Sequence, residues 1–208
     1  METLSKLFSG ESRVKVMRLF LFNPETFFSL KQIITKASLT PKMAKREIDL
    51  LEKSGMIKAR KMVQTFSIKR GRKVIEAKRK VVCWILNPGF EYLLSMQNLL
   101  INTRPLRKEE ILKRLSGVGK LKLVIIAGVF IQNPDSRVDI LVVGDNLKHA
   151  SIIRIIKKME AEIGKELVFA SFETPDFQYR LGMYDKLIRD ILDYPHQKLL
   201  DKLGLKIA

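Results

Sequence analysis

The first part of the chain repeats hydrophobic positions with the period of an α-helix. Residues 11–22 carry apolar side chains at helical spacing, and the pattern stops at Asn23-Pro24. A second helix is predicted over 29–34, where Ser29 and Gln32, three places on, match a capping box. The pattern therefore predicts two helices in succession before residue 40.

A third helix is predicted with two chemically different faces. It begins at Thr40, which can cap free N–H groups, and at Pro41, which suits the first helical position; it ends near Gly55. At about 100° per residue, apolar and mainly basic residues fall on opposite sides: Ala44, Ile48 and Leu51 against Lys42, Lys45, Arg46 and Asp49. A major-groove recognition helix needs such faces after a short helix and a turn. A charged face taken alone more often only meets solvent.

Residues 56–86 change to the alternation that is typical of β-strands, with a very apolar returning stretch at 81–86. Basic residues are concentrated between these stretches: Lys69, Arg70, Arg72, Lys73, Lys78, Arg79 and Lys80. We interpret the segment as a hairpin whose basic tip neutralises phosphates, with Gly71 allowing a tight turn. A disordered tip and a grip on RNA are the alternatives. Cys83 and Trp84 in the returning strand are interpreted as structural.

The segment after the hairpin predicts a connecting helix. Asn87-Pro88-Gly89 breaks the strand, and 90–101 reads as a helix with apolar residues nearly all round. We expect it to be buried against a second domain or against a second copy of the chain, which would make a homodimer. With a boundary at 102–105, the expected organisation is a DNA-binding domain at 1–86, a connecting or dimerisation helix at 87–104 and a second domain at 105–208.

The second half predicts a small mixed sheet backed by helices, which makes the whole chain α+β. Continuous apolar runs at 121–131 and 138–143 indicate buried strands, and a third strand is predicted at 166–172. Helices are predicted over three ranges, which are 107–115, 147–163 and 184–203, the last interrupted at Tyr194-Pro195.

The net charge of the chain indicates what kind of partner it binds. The chain carries +17, and its first 104 residues hold 21 Lys/Arg against 8 Asp/Glu, or +13. Such asymmetry predicts a polyanionic partner for the first half, either nucleic acid or an anionic membrane surface. No apolar run is long enough to span a membrane, no secretory signal pattern is visible, and Cys83 is the single cysteine. We therefore expect a cytoplasmic protein with double-stranded DNA, and alternatively RNA, as partner, and with no membrane.

Two stretches of the second half resemble the minimal nucleotidyltransferase fold of the polymerase-beta superfamily: Ile126-Ala127-Gly128-Val129-Phe130, and the run from Ser136 to Val143. That family has Gly-Ser in the first stretch and two aspartates one residue apart in the second, which hold magnesium. Gly128 and Asp139 match the pattern, whereas Val129 replaces the serine and Arg137 the first aspartate. The resemblance implies a degenerate domain that is inactive as a transferase, so we expect no catalytic residue, metal or cofactor.

From Leu7 to Leu205 the chain is similar to winged helix-turn-helix transcriptional regulators fused to a nucleotidyltransferase-like domain. The likeness rests on four short runs of sequence, namely Asn87-Pro88, Val138 to Asp145, Phe177 to Leu181 and Arg189 to Leu192. The resemblance implies gene regulation, with DNA contacted by Thr40, Lys42, Lys45, Arg46 and the basic hairpin.

The residual transferase site would consist of Gly128, Arg137 and Asp139. Arg137 could there contact the phosphate of a nucleotide-like effector, or simply pair with Asp139. Two rival functions stay open at this point. One is an active nucleotidyltransferase delivered by its winged helix; the other is a protein that binds structured RNA or the ribosome. His149 and His196 lack metal-ligand spacing and carry no expectation of catalysis.

Overall fold

The computed structural model describes residues 2–70, 73–101, 106–133 and 135–205, with backbone alone at residue 2, 64–70 and 73–77. These residues form a mixed protein of nine α-helices and two β-sheets, in agreement with the predicted α+β class. The chain divides into two compact units. Unit 1 comprises Met1–Ile101 with Ala161–Lys165, and unit 2 comprises Asn102–Glu160 with Glu166–Ala208.

Unit 1 combines short helices with a three-stranded antiparallel sheet. Its helices are α1 (Glu2–Leu7), α2 (Glu11–Phe22), α3 (Leu30–Ala37), α4 (Pro41–Lys53) and α5 (Leu93–Leu100). Its strands are β1 (Phe28–Ser29), β2 (Ile57–Arg70) and β3 (Lys73–Leu86), arranged in the order β1-β3-β2. Helix α2 has the predicted bounds, and α3 extends three residues beyond its prediction. Helix α1 was not predicted.

Helices α2, α3 and α4 enclose the core of unit 1 because each turns an apolar face inward. Phe20, Ile33 and Ile48, one from each helix, are at most 1% exposed. The predicted capping box starts α3, where the side chain of Gln32 accepts a 2.8 Å hydrogen bond from the N–H of Ser29. Burial of several large apolar side chains, at about 1.5–3 kcal/mol each, supplies most of the stabilisation of such a small core.

Strands β2 and β3 form a hairpin of two 14-residue strands that stay in register throughout, from Ile57 opposite Leu86 to Arg70 opposite Lys73. The base of the hairpin joins the core, because Ile57 and Leu86 are buried there. The predicted turn residues Gly71 and Arg72 lie outside the described residues. The described part confirms the predicted hairpin and shows that its strands are long.

Helix α5 is shorter than predicted. The prediction began at Phe90, but Asn87 to Tyr92 form turns, and the helix starts at Leu93. Leu100 is 1% exposed, whereas Leu94 is 71% and Leu99 41% exposed. One side of α5 thus packs on unit 1, and its other side is exposed in the single chain. Burial of that side against a second copy of the chain stays a prediction. The predicted boundary at 102–105 lies outside the described residues.

Unit 2 places helices against a four-stranded mixed sheet. Its strands are β4 (Lys120–Ile126), β5 (Ile140–Asp145), β6 (Phe169–Glu173) and β7 (Gln197–Asp201), in the order β6-β5-β4-β7. Strand β4 pairs antiparallel with both β5 and β7, and β5 pairs parallel with β6. Its helices are α6 (Lys108–Leu115), α7 (His149–Ile163), α8 (Thr174–Gly182) and α9 (Lys186–Asp193). The last residues of α7 are those counted with unit 1.

Two predictions in unit 2 are corrected. The apolar run 121–131 is not one strand, because β4 ends at Ile126 and Gly128–Phe130 form a single 3₁₀ turn. The segment 197–201, predicted as helix, is strand β7. It completes the open edge of β4, and the backbone hydrogen bonds gained there outweigh the local preference of the segment for helix.

Candidate functional sites

Helix α4 is fixed at both ends by the residues that the sequence indicated. The hydroxyl oxygen of Thr40 accepts a hydrogen bond from the N–H of Met43 at 3.3 Å. After the helix, Gly55 has a φ of +78°. The N–H of Met56 then donates to the carbonyl of Leu51 at 3.1 Å, which closes the end in the Schellman manner. Local hydrogen bonds therefore define where the helix begins and ends.

The two predicted faces of α4 are confirmed. Ala44, Ile48 and Leu51 are at most 3% exposed, whereas Lys42 and Lys45 are exposed. Neither lysine makes an ion pair within the described part of the chain. Arg46 differs, since its side chain is 64% exposed yet donates to Glu47 from Nε at 3.1 Å and from Nη2 at 2.6 Å. Lys42 and Lys45 are thus available to an anion, and Arg46 is shared with a structural partner.

Glu47 is a buried charge on the inner face of α4 that sequence reasoning missed. Its side chain is 1% exposed and also accepts hydrogen bonds from Ser12 Oγ and Arg13 Nε, each at 3.0 Å. Burial raises the pKa of this carboxyl, but the hydrogen bonds from Arg46, Arg13 and Ser12 outweigh it and hold the pKa below its ordinary value. The glutamate therefore ties α2 to α4. The sequence signal that could have identified Glu47 is that it is a lone acidic residue among the inward-facing positions of α4.

The structure describes some of the predicted hairpin cations fully and others only in part. Lys78, Arg79 and Lys80 lie exposed on β3. Lys69, Arg70 and Lys73 lie in the paired strands, where only the backbone is described, and Arg72 is outside the described residues. Sequence reasoning missed the cations near the base of β2, which are Lys58, Arg60 and Lys61, all exposed. Their alternation with apolar residues was the signal that could have identified them.

The base of the hairpin is joined to α4 through an indole. The Nε1–H of Trp84 donates to Glu52 of α4 at 2.9 Å. Cys83, the neighbouring residue, is fully buried, and desolvation raises the pKa of its thiol. Trp84 thus packs and orients the hairpin, in line with the structural role expected for both residues.

Gly128 and Asp139 are brought together in unit 2. Asp139 is 8% exposed, and its two carboxylate oxygens accept hydrogen bonds from the N–H groups of Val129 and Val168, each at 2.8 Å. Gly128 has a φ of +52°, and a Cβ at this position would lie 2.1 Å from Asp139 Oδ1. The carboxylate therefore fastens the 3₁₀ turn to the start of β6, and glycine leaves room for it.

Arg137 does not join this pair. Its Nε lies 3.1 Å from Asp190 Oδ2 on α9, so the alternative of an ion pair with Asp139 is not what forms. Among the described residues, no group of three or more His, Cys, Asp or Glu side chains could hold a metal ion. His149 contacts Ser171 Oγ at 3.1 Å, and His196 contacts the carbonyl of Tyr194 at 2.9 Å.

A comparison of the chain with protein families, curated proteins and solved structures found no match. Each helix in the described part of the chain is too short or too polar for a membrane span. The candidate sites therefore rest on their own geometry.

Proposed function

We propose that this chain is a cytoplasmic, DNA-binding transcriptional regulator. Unit 1 acts as a winged helix-turn-helix: α3 and α4 form the helix-turn-helix, α4 enters the major groove, and the β2–β3 hairpin is the wing. The single observation that carries the proposal is the division of α4 into a buried apolar row and an exposed row with Lys42 and Lys45. A helix held so firmly from behind presents its basic face without distortion.

The charge of the chain supports this assignment. Cations continue from α4 onto the hairpin, with Lys61, Lys78 and Lys80 exposed. Lysine and arginine side chains that neutralise phosphates release condensed counterions, which gives tight binding that weakens with salt. Base edges in the major groove would be read by α4, and the hairpin would supply affinity that does not depend on sequence.

Unit 2 is proposed to be a nucleotidyltransferase-like platform without transferase activity, used for dimerisation or for sensing a nucleotide-like effector. Two-metal chemistry needs carboxylate oxygens that are free to bind the cations. Both oxygens of Asp139 already accept backbone hydrogen bonds, and Arg137, a cation, is the residue two places before it. This geometry favours a regulatory role over catalysis.

A homodimer through α5 is part of the same proposal. The exposed side of α5 carries Leu94 and Leu99 at its two edges, and the stretch 92–103 has no charged residue in a chain of net charge +17. Two copies that meet through the basic surface of unit 1 would bring like charges together, whereas this stretch adds no such repulsion. A two-fold dimer would read two half-sites.

Selection of bound fragments from a random duplex DNA pool, with RNA of matched sequence as competitor, tests the proposal. We expect an enriched motif for the parent protein, and a palindrome would agree with the dimer. The double variant Lys42→Gln/Lys45→Gln should lose the enrichment. The control Lys157→Gln/Lys158→Gln removes the same charge from exposed positions of α7 and should retain it. Tight binding without any enriched motif, or a preference for the RNA, would reject sequence-specific regulation.

A further inference from the structure

The register of the hairpin divides its cations between two opposite faces. In an antiparallel pair, residues directly opposite each other point to the same face, and successive residues of a strand point to alternate faces. Trp84 lies opposite Ala59, and Ile57 lies opposite Leu86, two residues closer to the base along each strand. All four residues therefore share one face, which we call the core face.

The core face is the side of the hairpin on which α4 lies. Ile57 and Leu86 are buried in the core with Ile48 and Leu51 of α4. Trp84 packs against the same core and donates to Glu52 at 2.9 Å. The hairpin therefore meets α4 through the core face.

The first two cations beyond Trp84 on the core face are Lys61 and Lys80. Lys61 lies opposite Val82, two residues further out than the Ala59–Trp84 pair along each strand, and Lys80 lies opposite Val63, two residues beyond that. All four side chains are exposed. Because strands twist along their length, the assignment to a face is firmest at these positions, which are closest to the fixed indole.

Lys58 and Arg79 belong to the other face. Lys58 lies opposite Ile85, and Arg79 lies opposite Gln64, so each is offset by one residue from the pairs of the core face. Arg60 has the same parity, and its guanidinium stands 5.8 Å from the centre of the Phe27 ring. We call this side the far face, and the exposed cations Lys58 and Arg79 point away from α4.

Helix geometry links the core face to the exposed basic side of α4. Lys45, Asp49 and Glu52 are spaced by four and three residues, so they form one row along the helix. Glu52 holds Trp84, and this row therefore runs from the core face of the hairpin to Lys45. Lys45, Lys61 and Lys80 thus lie on one continuous side of unit 1.

We propose that Lys61 and Lys80 of the core face contact the same DNA duplex as α4, and that Lys58 and Arg79 of the far face do not. This inference rests on the proposed function and deepens it. It adds Lys61, which the sequence did not single out, to the interface, and it removes Arg79, which the sequence placed there.

Two double variants of equal charge change test the inference. Lys61→Gln/Lys80→Gln alters the core face, and Lys58→Gln/Arg79→Gln alters the far face; each removes two positive charges from exposed side chains of the same hairpin. Binding of the full chain to the duplex is titrated at several salt concentrations, with circular dichroism melts as a check on folding. For the core-face variant we expect the magnitude of the slope of log binding constant against log salt to fall by about 1.8, and affinity at physiological salt to fall roughly tenfold or more.

For the far-face variant we expect an unchanged slope and an affinity within about threefold of the parent, because only long-range attraction is lost and salt screens it beyond about 8 Å. Equal slope changes in the two variants, or a larger change for the far face, would overturn the inference while parental binding still upheld the proposed function. If the parent itself showed no salt-dependent binding to duplex DNA, both would fall.

Discussion

Glu47 and Asp139 show at the residue scale why a buried carboxylate is not evidence of catalysis. Glu47 accepts hydrogen bonds from Ser12, Arg13 and Arg46, and Asp139 accepts from two backbone N–H groups. A carboxylate removed from water needs such donors, since an unpaired buried charge is very costly. Both acids serve as structural ties between segments that are distant in sequence.

The Glu47 tie predicts a specific pH dependence of stability. Because the folded-state pKa is lowered, the contribution of Glu47 is complete above its unfolded pKa of about 4.3 and is lost as the pH falls through the folded value. Glu47→Gln should therefore lower the free energy of unfolding at pH 7 by about 2 kcal/mol and should flatten the acid limb. Urea titrations from pH 7 downward measure both effects. Glu25→Gln, at an exposed position, is the control, and an equally flattened limb there would contradict the assignment.

The Gly128–Asp139 contact predicts that Gly128 tolerates no side chain. Gly128→Ala would place a Cβ 2.1 Å from the carboxylate at a φ of +52°, and we expect a loss of about 2–4 kcal/mol. Gly182→Ala is a matched control, because it lies at the end of α8 with no atom within 4 Å of the added Cβ. That control should be neutral or stabilising by up to about 1 kcal/mol. Thermal melts compare the two variants, and equal effects would show that a Cβ at position 128 causes no steric conflict with Asp139.

At the scale of elements, α4 could be predicted almost completely because its signals are local. The cap at Thr40, the proline at the first position, the apolar spacing and the glycine after the end all act within a few residues. Strand β7 could not be predicted in this way, since the edge of β4 that it completes comes from residues more than 70 positions earlier. The sequence pattern also did not give the register of the hairpin, so it could not show which cations share a face.

Lys45 and Arg46 are neighbouring cations on α4, and we expect their substitution to have different effects on stability. Lys45→Gln should weaken DNA binding and change stability by less than about 0.5 kcal/mol, because the side chain has no ion pair in the described residues. Arg46→Gln should weaken binding and also lower stability by up to about 1 kcal/mol, a value limited by its 64% exposure. Denaturant titrations alongside DNA titrations separate these outcomes. Equal stability of the two variants would show that Arg46 adds nothing to the Glu47 tie.

At the scale of the whole molecule, charge and exposed apolar surface are separated. The first 104 residues hold 21 basic residues, yet the stretch 92–103 is uncharged. Leu94 and Leu99 are both exposed on α5, and exposed apolar side chains on an uncharged helix are a candidate interface. This distribution suits a protein that binds a polyanion with one surface and a second copy of itself with another.

If the proposed dimer forms through α5, one added charge on this helix should dissociate it into monomers. Leu94→Glu should shift the parent from dimer to monomer in sedimentation velocity at micromolar concentration, because a carboxylate desolvated in the interface would be unpaired. Leu7→Glu is the control, since Leu7 on α1 is similarly exposed, at 68% against 71% for Leu94. A parent that sediments as a monomer, or a Leu7→Glu variant that dissociates equally, would contradict an α5 interface.

The sequence by itself determined the features that are governed by near neighbours along the chain: the bounds of α2, the caps of α4, its two faces, the paired hairpin strands and the uneven charge. Hydrogen-bonding caps, helical period and net charge need no knowledge of distant residues. The tertiary structure alone decided the strand at 197–201, the bonds of Glu47 to α2, the two bonds to Asp139 and the pairing of Arg137 with Asp190. Each of these joins segments far apart in sequence, and only packing brings the donors, acceptors and open sheet edge of one segment to the other.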